Sequence, residues 1–205
     1  AGTVTLDAAT VSGVNIGTGG GVITLGGAFI TDTGAVVIDA TNSGGVAAGA
    51  NVDFDNTVAL GGSLNVDGGT GGNVSFDSTV GIGANNLTVD NAAIATLSGA
   101  LSGSTGNVDF TTQTRSDIDG AIALSGAGTV TLDAATVSGV NIGTGGGVIT
   151  LGGAFITDTG AVVIDATNGG VVGAGADIDF DSTVALGGAL NVDGGTAGNV
   201  SFDST

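Results

Sequence analysis

Short runs in which apolar and polar residues alternate recur along the whole chain. In residues 51–55 (NVDFD) the side chains of Val52 and Phe54 point to one side and the two aspartates to the other, as in a pleated strand. Residues 73–77 (NVSFD) show the same alternation. Glycine clusters such as residues 61–62 separate these runs and suit tight turns. The pattern predicts many short β-strands, each with one apolar and one polar face.

The alternating runs return at nearly constant intervals. Residues 51–58 (NVDFDNTV) are followed 22 residues later by residues 73–80 (NVSFDSTV), and residues 107–112 begin in the same way. A β-sandwich and a β-helix both use short strands with glycine turns, but recurrence at the length of one coil favours stacked coils. We therefore predict an all-β chain that folds as a parallel β-helix, or β-solenoid, with roughly 18–22 residues per coil.

A second and longer repeat contains the first. Residues 1–42 return unchanged as residues 127–168, and residues 1–79 and 127–205 differ at only eight positions. We interpret residues 1–126 as one complete module and residues 127–205 as a partial second copy, joined in one continuous solenoid that looks like part of a longer array. This spacing predicts about six coils per module and about ten coils in the chain.

Stacking gives the recurring apolar residues a structural role. We expect them to form continuous columns inside the solenoid, each coil burying its apolar side chains against the next. The predicted columns place Val52 over Val74, Phe54 over Phe76, and Leu64 over Leu87.

Composition and charge narrow the function classes. The chain has 43 glycines without a three-residue period and no proline, which excludes collagen, and its 41% hydrophobic content argues against disorder. Nineteen acidic residues, all aspartate, face a single base, Arg115, for a net charge of −18. Such a surface repels nucleic acid. Polar residues and glycine interrupt every apolar stretch before about 18 residues, so we predict no membrane insertion.

Catalytic chemistry has few residues to use. Histidine, cysteine, lysine, glutamate and tyrosine are all missing, which removes most general bases and nucleophiles. Aspartates alone could support glycoside hydrolysis, but such sites combine them with basic or aromatic sugar-binding residues, and only Arg115 is present. We predict no enzymatic activity and no cofactor, and an ion pair of Arg115 with Asp117 or Asp119.

Calcium is the metal ion for which the sequence offers candidate ligands. Stacked coils would bring Asp55 near Asp77 and Asp67 near Asp90, forming columns of carboxylates of the kind that hard cations prefer. The calcium-binding β-roll repeat G-G-x-G-x-D-x-U-x and the EF-hand loop are both missing. Aspartates also solvate an outer face and oppose lateral aggregation. We therefore predict no metal site and little calcium binding.

The motif Asn-Val-x-Phe-Asp-Ser-Thr-Val followed by Leu-x-Val-Asp resembles the β-strand repeats of giant bacterial surface proteins. Residues 51–69 and 73–92 carry it here. Such repeats form the shafts of filamentous-haemagglutinin-like adhesins and autotransporter passengers. The resemblance implies a secreted, cell-surface or extracellular rod of bacterial origin, used in adhesion, aggregation or matrix building, whose shaft has no catalytic residues.

Two functions follow from this sequence. The first is a structural or adhesive shaft or filament that associates end to end, through open strand edges at Ala1 and Thr205, or continues as a longer repeat array. The second is a binding module whose lateral face recognises a host-cell, matrix or polysaccharide surface, or a cation. A binding module needs an ordered row of exposed groups, whereas a shaft needs only constant interior columns. The interior positions recur better than the exposed ones, which favours the shaft.

Overall fold

A computed structural model describes residues 2–203. All regular secondary structure within these residues is β-strand. The strand edges expected at Ala1 and Thr205 lie outside the described residues. The strands are β1 (Val4–Leu6), β2 (Ala9–Val11), β3 (Ile16–Gly17), β4 (Ile23–Leu25), β5 (Phe29–Thr31), β6 (Val36–Asp39), β7 (Val52–Phe54), β8 (Val58–Leu60), β9 (Leu64–Asp67), β10 (Val74–Phe76), β11 (Val80–Gly83), β12 (Leu87–Leu97), β13 (Leu101–Gly103), β14 (Val108–Ile118), β15 (Ile122–Leu124), β16 (Val130–Leu132), β17 (Ala135–Val137), β18 (Asn141–Gly143), β19 (Ile149–Leu151), β20 (Phe155–Thr157), β21 (Val162–Asp165), β22 (Ile178–Phe180), β23 (Val184–Leu186), β24 (Leu190–Asp193) and β25 (Val200–Phe202).

These strands stack into three parallel ladders. Ladder A contains β1, β4, β7, β10, the second halves of β12 and β14, β17, β20 and β23. Ladder B contains β2, β5, β8, β11, β13, β15, β18, β21 and β24. Ladder C contains β3, β6, β9, the first halves of β12 and β14, β16, β19, β22 and β25. The chain passes through A, B and C in turn, so each coil has one strand in each ladder.

The predicted parallel β-solenoid is therefore confirmed. It has nine coils of about 22 residues, where the sequence suggested about ten. Two strands, β12 and β14, each serve two ladders by bending from C into A without an intervening loop. In β12, Leu87 pairs with Leu64 on ladder C, and Ala95 pairs with Val74 on ladder A, with register shifts at the bend.

The core is a set of vertical columns, and the predicted pairs are stacked in it. Val74 pairs with Val52, Phe76 with Phe54, and Leu87 with Leu64. All six side chains are at most 1% exposed. The rings of Phe54 and Phe76 are stacked, with centroids 4.7 Å apart and planes 12° from parallel. Leu25 pairs with Phe54 on one side and Leu97 with Phe76 on the other, so the apolar column continues beyond the two rings.

Glycine is required where the corner between ladders B and C is tightest. A Cβ on Gly106 would lie 1.9 Å from the carbonyl oxygen of Asn85, one on Gly128 would lie 2.2 Å from that of Gly106, and one on Gly147 would lie 1.9 Å from that of Gly128. Contacts this short are impossible for a side chain, so these three positions accept only glycine. The corner glycines thus allow the close spacing of the coils there.

The 126-residue module does not contain a whole number of coils. Strand β16 is the copy of β1, and seventeen strand segments run from β1 to the segment before β16, with β12 and β14 counted as two each. At three segments to a coil, the module spans five and two-thirds coils and not the expected six. As a result Val4 lies on ladder A, whereas its copy Val130 lies on ladder C. Identical sequence therefore occupies a different side of the solenoid in each copy, one third of a turn away.

Phenylalanine stacking gives the first prediction. Phe76 is 0% exposed beneath the next coil, whereas its copy Phe202, in the last described coil, is 53% exposed. Replacing Phe76 by alanine should lower the free energy of unfolding by about 3–5 kcal/mol, because it removes a buried ring and leaves a cavity. Phe202→Ala is the matched control and should cost far less. Urea denaturation of both variants measures the difference, and equal losses would contradict the stacking.

The one-third-turn offset can be tested by disulfide formation, because the chain has no native cysteine. Asp117 pairs with Thr136 on the outside of ladder A. Cysteines at these two positions should form a disulfide, since neighbouring strands lie about 4.8 Å apart, within the usual Cα separation of a disulfide. A module of six whole coils would instead pair Asp117 with Thr131. The variant with cysteines at positions 117 and 131 is the control and should form no disulfide. If this variant forms the disulfide and the 117/136 variant does not, the one-third-turn offset is wrong.

Candidate functional site

The aspartates suggested as weak calcium ligands lie in two separate columns. Asp55 and Asp77 follow the paired residues Phe54 and Phe76, so they lie one coil apart beside ladder A. Asp67 and Asp90 lie one coil apart on ladder C, where Asp39 pairs with Asp67 from the coil before. The structure therefore brings together the predicted partners within each pair and keeps the two pairs on different sides.

Asp67 is held by hydrogen bonds within the fold. Its Oδ1 accepts a hydrogen bond from the backbone N–H of Gly69 at 2.9 Å, and its Oδ2 lies 3.1 Å from the Thr41 hydroxyl, whose single proton it shares with Asp39. Burial raises the pKa of Asp67, and the nearby carboxylates of Asp39 and Asp90 raise it further, against the lowering by these hydrogen bonds. Both oxygens of this carboxylate thus already serve the structure.

Asp39 organises the longest loop of the first module, residues 40–51. Its Oδ1 accepts hydrogen bonds from the backbone N–H and the hydroxyl of Thr41 at 2.6 and 2.7 Å, and its Oδ2 accepts one from the backbone N–H of Ser43 at 2.6 Å. Burial acts to raise the pKa of Asp39, but these hydrogen bonds outweigh it and the pKa is lowered. Asp165 repeats this arrangement with Thr167 and Gly169, and its pKa is lowered for the same reasons.

The sequence reasoning missed this pair of loop-forming aspartates. The signal was available: an apolar strand ends in aspartate, threonine follows two residues later, and the arrangement recurs at residues 165–167. Aspartate accepts hydrogen bonds from the backbone two residues on, and so starts a turn. We infer that Asp39 and Asp165 serve the fold of the loops.

Stacked and partly buried carboxylates repel one another elsewhere on the surface. Burial raises the pKa of Asp53, and Asp55 and Asp77 raise it further, against a hydrogen bond from Ser75 at 3.1 Å. The pKa values of Asp109 and Asp133 are raised in the same way, chiefly by burial. The carboxylate of Asp90 also raises the pKa of Asp109, against a hydrogen bond from Thr111 that lowers it. The carboxylate of Asp109 also raises the pKa of Asp133. Burial first, and repulsion between neighbouring carboxylates second, therefore favour the protonated form of these aspartates.

Within residues 2–203, no group of three or more aspartates converges in a way that could hold a metal ion. The predicted weakness of calcium binding stays a prediction. The expected ion pair is present and confirmed: Arg115 Nε lies 2.7 Å from Asp117 Oδ1 on the outside of ladder A. The arginine side chain is 50% exposed, and contacts of this kind contribute under about 1 kcal/mol.

A shallow groove of about 260 Å³ lies on the outside of ladder B in the sixth to eighth coils. Ala123 and Gly143 form part of its floor, and Asn168 of the loop after β21 forms part of its wall. Asp165 also lines it, but this carboxylate already accepts three hydrogen bonds from its own loop. The groove thus offers small and amide side chains, and its one carboxylate is committed to the fold.

Comparison with protein-family models, with curated proteins and with solved structures finds no match to this chain. No helix within residues 2–203 has the length and apolar character needed to span a bilayer. The fold and its surfaces are therefore the basis for a functional proposal.

The aspartate pKa shifts predict an unusual dependence of stability on pH. Asp53, Asp67, Asp109 and Asp133 have raised pKa values, so the folded chain binds more protons than the unfolded chain just above the ordinary aspartate value of about 3.9. The free energy of unfolding should therefore rise as the pH falls from 7 towards about 4. Below that pH it should fall again, because Asp39 and Asp165 have lowered pKa values and lose their hydrogen-bonded charge.

Urea denaturation at a series of pH values measures this profile. The double variant Asp53→Asn, Asp67→Asn should show a smaller rise between pH 7 and pH 4 than the natural chain. A profile that falls steadily from pH 7 downwards would contradict the assignment of raised pKa values to these residues.

Proposed function

We propose that this chain is a length of a structural shaft: a β-solenoid rod that is lengthened by adding modules and carries out no catalysis. The observation that supports this is the seam between the two copies. The first copy ends after residue 126, inside the sixth coil, and the ladders run across this point with the same parallel pairing as elsewhere. The strand segments of β14 pair with β16 and β17, and β15 pairs with β18.

The interior supports the same proposal. Leu60, Val74 and Phe76 are at most 8% exposed because the coils formed by residues 80–97 cover them. Their copies in the last described coils, Leu186, Val200 and Phe202, are between 41% and 59% exposed. The same residues are thus buried or exposed according to whether another coil lies over them, so each coil of the rod depends on its neighbour for the burial of its apolar side chains.

The alternative function, a lateral binding module, has less support. An array that binds a flat polysaccharide or host surface needs the same exposed groups in a row along one side. The one-third-turn offset moves each outward residue to another ladder in the next copy, as with Thr5 on ladder A and its copy Thr131 on ladder C. The interior is continuous through this rotation and the exterior pattern is not, which favours a shaft over a binding face.

The proposed place of action is the bacterial cell surface or the extracellular space, with a role in adhesion or matrix formation. The support here is the resemblance of the strand motif to adhesin and autotransporter shafts, together with a chain that contains no cysteine and therefore needs no redox control. The strong negative charge also favours the solubility of such rods.

Growth by module addition can be measured directly. Appending one further copy of residues 80–205 to the chain should increase the maximum dimension in small-angle X-ray scattering by about 27 Å, with the cross-section unchanged, since five and two-thirds coils are added at about 4.8 Å each. As a control, the substitutions Leu87→Asp and Val89→Asp in the appended copy alone should prevent its coils from stacking. A longer chain that widens in cross-section without lengthening would contradict the shaft.

The place of action is tested separately on cells that produce the chain naturally. Antibodies raised against it should label intact cells as strongly as permeabilised ones, and external protease should remove the label. Labelling only after permeabilisation would overturn the extracellular role and leave the shaft architecture untouched.

A further inference from the structure

One side of the solenoid is free of charge over much of its length. We call it the uncharged face. It consists of the outward-facing residues of ladder B in the third to seventh coils, which come from residues 57–61, 79–83, 100–104, 121–125 and 140–144. None of these 25 residues is charged. By contrast, sixteen of the nineteen aspartates lie in or directly beside strands of ladders A and C, as does Arg115. Charge is therefore segregated by side, although the composition is acidic throughout.

The uncharged face carries only small side chains along its centre. Its central column runs through Ala59, Gly81, Ser102, Ala123 and Gly143, which pair in that order from coil to coil. No long side chain projects from this column. Its backbone groups are already paired within the ladder, as in the 2.8 Å hydrogen bond from Leu101 N–H to the carbonyl oxygen of Ala121. An uncharged sheet face of small side chains with satisfied hydrogen bonds presents area for packing, and its sixth and seventh coils include part of the shallow groove.

We propose that this face is a lateral contact between two copies of the chain. Two rods that each carry a net charge of −18 repel wherever ladders A and C meet, because carboxylates would face carboxylates. The uncharged face is the side on which two copies can approach without that cost. Small side chains allow the two sheets to lie close together, and the contact is self-complementary, as a two-fold interface requires.

The size of the face sets the strength of the contact. Five coils at about 4.8 Å and strands of about five residues at about 3.3 Å each give roughly 400 Å² on each copy. A stable interface buries about 800 Å² on each partner. The contact is therefore weak and rapidly reversible for this length of chain. Added salt strengthens it, because screening lowers the repulsion between the flanking aspartates.

The one-third-turn offset changes the position of this contact around the axis in longer arrays. Ala59 lies on the uncharged face, whereas its copy Ala185 lies on ladder A in the ninth coil. The surface that pairs thus moves around the shaft by a third of a turn with each module. Two long shafts that follow it must wind around one another. This inference goes beyond the proposed shaft, and it does not depend on where the shaft acts.

Single cysteines test the lateral contact in a chain that has none of its own. Ser102 is exposed at the centre of the uncharged face, so an antiparallel pair brings Ser102 of each copy together. Ser98, exposed in the same coil directly after the ladder A segment of β12, provides the matched control. Under mild oxidation Ser102→Cys should form disulfide-linked dimers at least about tenfold faster than Ser98→Cys, and faster still in 0.5 M salt, given the distance limits of a disulfide.

A second variant connects the crosslinking with the absence of charge. Adding Ala59→Asp and Ala123→Asp to Ser102→Cys should reduce the crosslinking rate to that of Ser98→Cys, while circular dichroism and the melting temperature show that the solenoid is intact. The proposal is overturned if Ser102→Cys crosslinks no faster than Ser98→Cys, or if the two aspartates leave its rate unchanged. Either result would leave the growth of the rod by modules unaffected.

Discussion

Hydrogen bonding from one coil to the next is the interaction on which the rest of this structure depends. Strand backbone groups pair with the coil before or after, as when the Val52 N–H donates to the carbonyl oxygen of Asn73 at 2.9 Å and the Asp77 N–H donates to that of Phe54 at 3.0 Å. Parallel pairing in register places each side chain directly over its equivalent in the neighbouring coil. The same register that stacks Phe54 on Phe76 also sets Asp39 beside Asp67. In-register pairing of the coils therefore both buries apolar side chains inside the solenoid and places carboxylates next to one another outside it.

This constraint explains which parts of the fold can be predicted from the sequence. Alternation with a period of two is local, so it identified the strands, the inward residues and the columns through Val52, Phe54 and Leu64. The side of the solenoid on which a strand lies is not local. The Asn-Val-x-Phe motif is on ladder A at residues 51–54 and on ladder C at residues 107–110, because three apolar ladders accept the same residues equally well. Counting motifs therefore could not give the number of coils.

The corner-turning strands made this count harder. In most coils glycine marks the passage from one ladder to the next, but residues 87–97 contain no glycine and still turn from ladder C into ladder A. The bend is made by register shifts around Ala92, which have no clear signal in the residue pattern. The candidate site shows a similar division. The aspartate columns followed from stacking, whereas the role of Asp39 in its loop depends on hydrogen bonds from Thr41 and Ser43 that the alternation does not encode.

Differences between the two copies show which positions the fold restricts. Four of the eight changes fall within residues 43–51, which form the loop held by Asp39, and three more fall in turns. The remaining one, Val52 to Ile178, lies in a strand and keeps an apolar side chain in the core. Stacking of the coils depends on the interior columns, whereas loops and outward residues are free to vary. Because the module is not a whole number of coils, each such outward feature reaches a new side with every copy. A repeat of this length therefore combines a continuous apolar core with an outer surface on which each feature lies a third of a turn from its copy.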